Sequence, residues 1–330
     1  MEIKPRVVLF LTSLFAQNTL AFLAQKQYLV GVILPDPNEL GEAGGEVNRI
    51  AMQLQQSGIP FQMCCKEKLP LIVEQLDAWN ANVGLISTYP HGLPEEIIDY
   101  FSGRNRLGIY NIHASQLPKY GGPNPIYWQI RNGEIESGVV IHCAEKVADT
   151  GNIVIEKKVP IEALDTLPSL TNRLAYEAYV LVMELLKRLS SSGEKLKGEP
   201  QDQNTDTTYA PRLTEKDYII DFDSMSANEI SAMCRAGNGF PYGTILNING
   251  VSLNLIQATP VARETFGTKP GTVIFIGEPE GLIICVKGGA LRLDIISGVD
   301  GIYSGLAFAE RFSLDAGAVF NASFSLKIHA

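Results

Sequence analysis

The feature that most limits how this chain can fold is an alternation in its first third. Short apolar runs rich in β-branched residues take turns with segments whose apolar residues fall at helical spacing. The runs are Val7–Thr12, Leu29–Leu34, Phe61–Cys64, Val83–Thr88 and Leu107–His113. Between them lie Phe15–Gln27, Val47–Ser57, Leu69–Trp79 and a helix opened by Pro94 and running through Tyr100. A strand that is apolar at nearly every position needs cover on both faces, and an intervening helix supplies it. The pattern predicts an α/β fold, a doubly wound and mostly parallel sheet with helices on both sides. After a helix from Pro123 to about Arg131, Val139–Cys143 and Ile153–Val159 read as a further strand pair. Leu167–Leu189 follows as a long amphipathic helix.

The rhythm then stops. Residues 190–208 are polar and hold Gly, Pro, Lys, Glu and Gln, the composition of a linker. One helix-like stretch, Ala227–Ala236, precedes five short strands: Thr244–Ile248, Val251–Ala258, Gly271–Ile276, Leu282–Val286 and Ala290–Ile296. Turns such as Asn249-Gly250 and Gly288-Gly289 separate them, which predicts an antiparallel barrel or sandwich. The expected organisation is an α/β domain over 1–189, a linker over 190–208 and a smaller, barrel-like β domain over 209–330. No internal repeat is visible.

Composition narrows the class. With 45% hydrophobic and 19% charged residues, the chain has enough apolar material for a buried core and is not disordered. No apolar stretch reaches the roughly 18 residues of a membrane helix, and the run Val7–Leu11 is too short for a signal peptide. Five cysteines, odd in number and without C-x-x-C spacing, argue against a disulfide framework or a zinc ribbon and for a reducing cytoplasm. Trp79 and Trp128 read as packing residues, Cys64-Cys65 as a strand end and Tyr242-Gly243 as a turn. Thr12-Ser13-Leu14 lacks the glycine fingerprint of a dinucleotide site.

Two segments carry side chains with chemistry. In Asn111-Ile112-His113-Ala114-Ser115-Gln116-Leu117-Pro118-Lys119-Tyr120-Gly121-Gly122, residues 111, 113 and 115 share one side as long as the strand stays extended. They lie at a strand's carboxyl end, where open α/β sheets bind ligands. The alternative is a strand cap, with Asn and Ser bonding a turn and His113 half-buried. The second segment is Val147-Ala148-Asp149-Thr150-Gly151-Asn152, which is either a functional carboxylate loop or an Asx-type turn. Together the two offer a base (His113), a carboxamide able to stabilise an oxyanion (Asn111) and a carboxylate to orient the imidazole (Asp149). That set suits acyl transfer to an amine. His142, on a strand near Asp149, could border a ligand pocket there but reads rather as a core or edge histidine.

Three motifs in order, NIHASQLPKYGG, NGEIESGVVIH and ADTGNIV, resemble the folate-dependent formyltransferase family. Asn111, His113, Ser115, Leu117 and Pro118 fall on its N-x-H-x-S-x-L-P signature. Asn132, Gly133, Ser137, Gly138 and Val139 fall on the middle segment, and Asp149 and Gly151 on the D-x-G loop. Arg235-Ala236-x-Asn238-x-x-Pro241, Pro270–Val273 and Gly289–Leu293 look like the C-terminal domain of two-domain members. The resemblance implies transfer of a formyl group from 10-formyltetrahydrofolate, as co-substrate and without a metal, to a primary amine. It implies that Asn111 and a protonated His113 stabilise the oxyanion while Asp149 supports proton movement. It places the pterin along Ser87, Tyr89, His91, Gly92 and Leu93 and against Ile141, Glu145 and Val147. The amine then lies near Ser115, Pro118, Lys119 and Tyr120. By its residue type alone, His91 reads as an exposed loop residue.

Charge bears on the acceptor. The whole chain has 27 Lys+Arg and 36 Asp+Glu, a net charge of −9. Pro35–Asn48 contains Asp36, Glu39, Glu42 and Glu46 and no basic residue, and residues 205–330 sum to −4. Binding of tRNA by phosphate neutralisation needs clustered positive charge. The expectation is therefore a small or carrier-bound amine, an amino-sugar nucleotide or an aminoacyl group, with tRNA disfavoured as a partner; the alternatives are formylation of methionyl-tRNA and a non-catalytic folate-binding module.

Overall fold

A computed structural model describes residues 3–202, 207–239, 243–248 and 250–321. Pro241, Tyr242 and Asn249 of the motifs and turns named above lie outside the described residues, as do 203–206 of the expected linker. The chain divides into two compact units. One comprises Met1–Pro125, Glu136–Pro160 and Thr171–Arg212, the other Ile126–Ile135, Ile161–Leu170 and Leu213–Ala330.

In the first unit the strands and helices alternate as β1 (Val7–Leu11), α1 (Gln17–Gln25), β2 (Leu29–Pro35), α2 (Gly44–Gln56), β3 (Phe61–Cys64), α3 (Val73–Ala78), β4 (Val83–Ser87), α4 (Glu95–Ser102) and β5 (Ile109–His113). After α5 (Pro125–Arg131), which from Ile126 on belongs to the second unit, come β6 (Glu136–Cys143), β7 (Ile153–Pro160) and α6 (Leu167–Ser192), which belongs to the first unit from Thr171 on. The seven strands lie in the order β3-β2-β1-β4-β5-β6-β7. Every pair through β5 is parallel, and β6 and β7 are antiparallel additions. The fold is thus the predicted mostly parallel, Rossmann-like sheet. All five residues of β1 and of β4 are buried, as strands covered on both faces must be. Order reverses at β1, so the carboxyl ends of β1, β4 and β5 border the crevice where such sheets bind ligands.

Local chemistry explains the departures in detail. Leu69–Trp79 does not form one helix. Lys66–Ile72 is a 3-10 segment with Pro70 inside it, and α-helix begins only at Val73. The first helix opens with a 3-10 turn, Leu14–Ala16, on which Ser13 Oγ accepts from Phe15 N–H.

The second unit holds α7 (Ala227–Gly237), β8 (Thr244–Ile248), β9 (Val251–Val261), β10 (Val273–Gly277), β11 (Gly281–Val286), β12 (Gly289–Gly298), β13 (Gly301–Ser304), α8 (Gly305–Arg311) and β14 (Phe320–Asn321). Its sheet runs β10-β11-β12-β9-β8-β14 and is antiparallel throughout, with β13 on β12. A bridge between Thr272 and Val319, with Phe320 N–H donating to Gly271 O and Val273 N–H to Ala318 O (both 2.8 Å), joins its two ends into a barrel. Ile230 and Met233 of α7 pack into one core with Leu255, Leu282, Leu291 and Ile296. A capping box starts α7: Ser226 and Glu229 satisfy each other's backbone N–H groups. Among the described residues no helix is long and apolar enough to cross a membrane.

Trp79 is a packing residue. Its ring lies so close over Gly31 of β2 that a methyl group there would overlap the indole. Gly31→Ala is expected to destabilise the protein by about 1–3 kcal/mol, as overpacking does. An unchanged midpoint in urea unfolding would contradict this packing.

Candidate active site

Strand pairing builds the site. The antiparallel register of β5 and β6 sets Asn111 directly across from His142. The chain leaves β6 at Cys143, and the loop before β7 brings Asp149 back over both strands. Gly151 makes the return possible, because a side chain there would strike the Cys143 carbonyl. Asp149 itself takes a left-handed backbone, φ 60°, a conformation that non-glycine residues adopt at a cost.

The Asp149 carboxylate is the meeting point. Its Oδ1 lies 3.1 Å from Asn111 Nδ2, 3.4 Å from His113 Nδ1 and 3.6 Å from His142 Nε2. Its Oδ2 accepts from Gly122 N–H at 2.8 Å. His113 Nε2–H donates to the Tyr120 carbonyl at 2.8 Å, which leaves Nδ1 as the nitrogen that faces the carboxylate. His142 Nδ1–H donates to the Cys143 carbonyl at 2.8 Å. In the neutral ring Nε2 then accepts from Asn111 Nδ2, 3.0 Å away. Both Asn111 N–H groups are therefore directed, one to a carboxylate and one to an imidazole.

Charge in the site follows from burial and partners. Burial works to raise the Asp149 pKa, but the His142 and His113 imidazoles and the Gly122 N–H hold it down at about 2. Burial pushes the His113 pKa below its ordinary 6.5, against the opposing pull of Asp149 and the Tyr120 carbonyl. Burial thus favours the neutral ring, whereas the acceptors beside its two nitrogens favour the protonated ring that the resemblance implies. Once protonated, it would face an acceptor at each nitrogen.

This geometry lies within a segment, residues 6–186, that matches the formyl transferase family model. Residues 212–302 match the formyl transferase C-terminal domain. The chain is 30% identical over 298 residues to methionyl-tRNA formyltransferase of Burkholderia vietnamiensis, covering 87% of this chain and 88% of that one. The chain belongs to the formyl transferase family. It is a folate-dependent formyltransferase, an enzyme of one-carbon transfer that uses 10-formyltetrahydrofolate as co-substrate. Its fold is also like that of an N-formyltransferase from Helicobacter canadensis solved with folinic acid and dTDP-3-aminofucose. That match has a TM-score of 0.61 and 19% identity, and covers 91% of this chain and all of that one. HypX from Aquifex aeolicus, solved with tetrahydrofolic acid, gives a TM-score of 0.61 at 16% identity, covering 95% of this chain. The chain spans about half the length of HypX (48%).

The relatives correct one expectation. Proteins about 30% identical over most of the chain are named for tRNA, so the formyltransferase cannot be read as disfavouring tRNA. A net charge, and the sign of one loop, average over a surface whose local potential decides what phosphates meet.

The structure brings together Asn111, His113 and Asp149 and adds His142, expected as a core or edge histidine bordering the pocket at most. His142 is 1% exposed, and its signal was available as register: pairing β5 with β6 aligns it with Asn111. Ser115 is turned away. β5 ends at His113, and the buried Ser115 hydroxyl donates to Lys119 O at 2.7 Å, the turn-forming alternative. Tyr120 is buried, Pro118 half-buried and Lys119 exposed. At β4, Ser87 is fully buried and Leu93 buried, while Gly92 is exposed. Tyr89 packs edge-on against Phe10, and burial raises its pKa. His91 is not the exposed residue expected: its side chain is 12% exposed, with Nε2 3.2 Å from Glu39 Oε2. Ile141 is fully buried, and Glu145 and Val147 are exposed.

Asp149→Asn keeps the shape of the side chain and removes the charge; formyl transfer is expected to fall about 10²–10⁴-fold. The stability that the ionised Asp149 contributes, about 2 kcal/mol, is present above pH 3.8 and lost as pH falls through about 2. Acid unfolding followed by circular dichroism should lose that increment between these limits in the wild type and not in the variant. Identical acid profiles would contradict the charge assignment.

Proposed function

We propose that this enzyme transfers the formyl group to the α-amino group of a methionyl residue carried on tRNA. The reading is carried by the Asn111–His113–Asp149 geometry inside a chain whose relatives, at 29–30% identity over 87–95% of it, are named methionyl-tRNA formyltransferases. The free Cys64, Cys65, Cys143, Cys234 and Cys285 support a reducing compartment such as the cytoplasm.

Unmet polar groups suit a folate. Among the described residues, Thr12 Oγ1 after β1, Ser87 Oγ at the end of β4 and Tyr89 OH beyond it are buried without hydrogen-bond partners. A pteridine edge, with donors and acceptors in one plane, can satisfy such groups. Ser87, Tyr89, His91, Gly92 and Leu93 would line one side of it and Ile141, Glu145 and Val147 the other. The co-substrate supplies the formyl carbon that the amine attacks.

The residues then divide the work. Asn111 Nδ2 turns one N–H from its resting partner to the formyl oxygen as that oxygen gains negative charge. His113, neutral at rest, takes the amine proton at Nδ1. The imidazolium is held by Asp149 on one side and the Tyr120 carbonyl on the other, and gives its proton to the departing N10. Asp149 stays ionised and keeps the ring oriented. Pro118, Lys119 and Tyr120 sit where the acceptor approaches, with Ser115 bracing their turn.

Because neutral His113 is the base, kcat/KM is expected to fall with acidity through a pKa below 6.5. His113→Ala should lose about 10²–10⁴-fold in rate. Mass spectrometry of reactions with 10-formyltetrahydrofolate and a panel of amines tests the whole reading. The expected product is formyl-methionyl-tRNA. Formylation of an amino-sugar nucleotide and not of the tRNA would overturn the acceptor, and no formylated product at all would overturn the reaction.

A further inference from the structure

The segment that leaves α6 looks like a connector by composition, yet within the first unit it is bonded to the sheet and to both active-site loops. Leu196 N–H donates to Tyr110 OH at 2.9 Å, and Glu199 and Ile153 exchange backbone hydrogen bonds at 2.8 Å. Gln201 follows, and its side-chain amide donates to two carbonyls of the Asp149 loop, Asp149 O at 2.8 Å and Gly151 O at 2.9 Å. Farther along, Thr208 Oγ1 accepts from Tyr120 N–H at 2.9 Å, and Ala210 N–H donates to Gly121 O at 2.7 Å.

These anchors land on the two loops that meet at the catalytic carboxylate. Tyr120 presents the carbonyl that holds His113 Nε2, and Gly122 presents the N–H that holds Asp149 Oδ2. Three residues here have left-handed backbones: Tyr120 (φ 57°), Gly122 (φ 117°) and Asp149 (φ 60°). Such conformations persist where surrounding structure over-determines them. Gln201 supplies that on one loop and Thr208 on the other.

We propose that Gln201 and Thr208 are positioning residues for formyl transfer, clamping the Asp149 loop and the Tyr120–Gly122 loop so that Asp149, His113 and Asn111 stay in register. Gln201 fits the task by type, since two carbonyls need a donor with two N–H groups and a carboxamide has them. Glutamate, of the same shape, would set a carboxylate against both oxygens. Thr208 provides a hydroxyl acceptor to a backbone N–H, which serine can replace and valine cannot. The proposal rests on the transferase reading above, and displacement of catalytic groups by about 1 Å can cost 10²-fold in rate.

The test compares Gln201→Met, Gln201→Glu, Thr208→Val and Thr208→Ser with the wild type in two measurements. The first is kcat for formyl transfer to methionyl-tRNA; the second is amide hydrogen exchange over residues 117–124 and 147–152. Gln201→Met, Gln201→Glu and Thr208→Val should lose about 10–100-fold in kcat, with faster exchange in both loops and thermal unfolding within a few degrees of wild type. Thr208→Ser should restore both values. In an Asp149→Asn background, Gln201→Met should cost less than about 2-fold more, because it acts through Asp149. Full multiplicative loss in that background, or wild-type kcat and exchange in the single variants, would overturn the clamp. A wild-type protein that transfers no formyl group would instead overturn the functional reading, and loop exchange alone would then decide the clamp.

Discussion

The active-site geometry depends on one buried carboxylate. Asp149 gathers Asn111, His113 and His142 on one oxygen and the Gly122 N–H on the other. Taking a carboxylate out of water is costly unless it is paired and hydrogen-bonded. The cost is offset here by groups drawn from β5, β6 and the turn after β5. The same partners therefore stabilise the ion and are themselves aimed by it. Burial disfavours the charged His113 ring, its Nε2–H rests on the Tyr120 carbonyl and Asp149 faces the open Nδ1, the arrangement a base needs when it must later act as an acid.

Much of this was legible in the sequence, and the exceptions have physical causes. The strands of the parallel sheet announce themselves because cover on both faces makes them continuously apolar, as in Val7–Leu11. Pro70 could have been given its due: it holds 3-10 geometry where periodicity alone suggests α-helix. β13, α8 and β14 went unread because they are short and only partly apolar, and barrel closure depends on pairing with a strand far away in sequence. Asn111, His113 and Asp149 were visible as residue types in motifs. His142 was not, since its role follows from a register across 31 residues. Gln201 was hidden for a different reason: a polar residue in a polar stretch resembles solvated linker, and only its two carbonyl partners distinguish it. Ser115 shows the opposite error, where alternation was carried past the last residue of its strand.

The acceptor is the point at which composition misleads. Four acidic residues without a basic one in Pro35–Asn48 look decisive when read alone. A summed charge, however, reports neither where cations sit nor which of them face a ligand, whereas proteins similar over nearly the full chain are named for the tRNA substrate. Chemistry at the transferred group is indifferent to this question. In the proposed mechanism an amine, a formyl carbon and a departing nitrogen meet the same three side chains whichever molecule carries the amine.

The protonation state of His113 in the resting enzyme tests the central claim most directly. Imidazole ¹⁵N chemical shifts, recorded from pH 5 to pH 8 on the folded protein, report the charge and the tautomer together. Burial predicts a neutral ring at pH 7 with protonation only below pH 6.5, and the Tyr120 carbonyl sets the remaining proton on Nε2. A ring that is cationic at pH 7, or neutral with its proton on Nδ1, would contradict it.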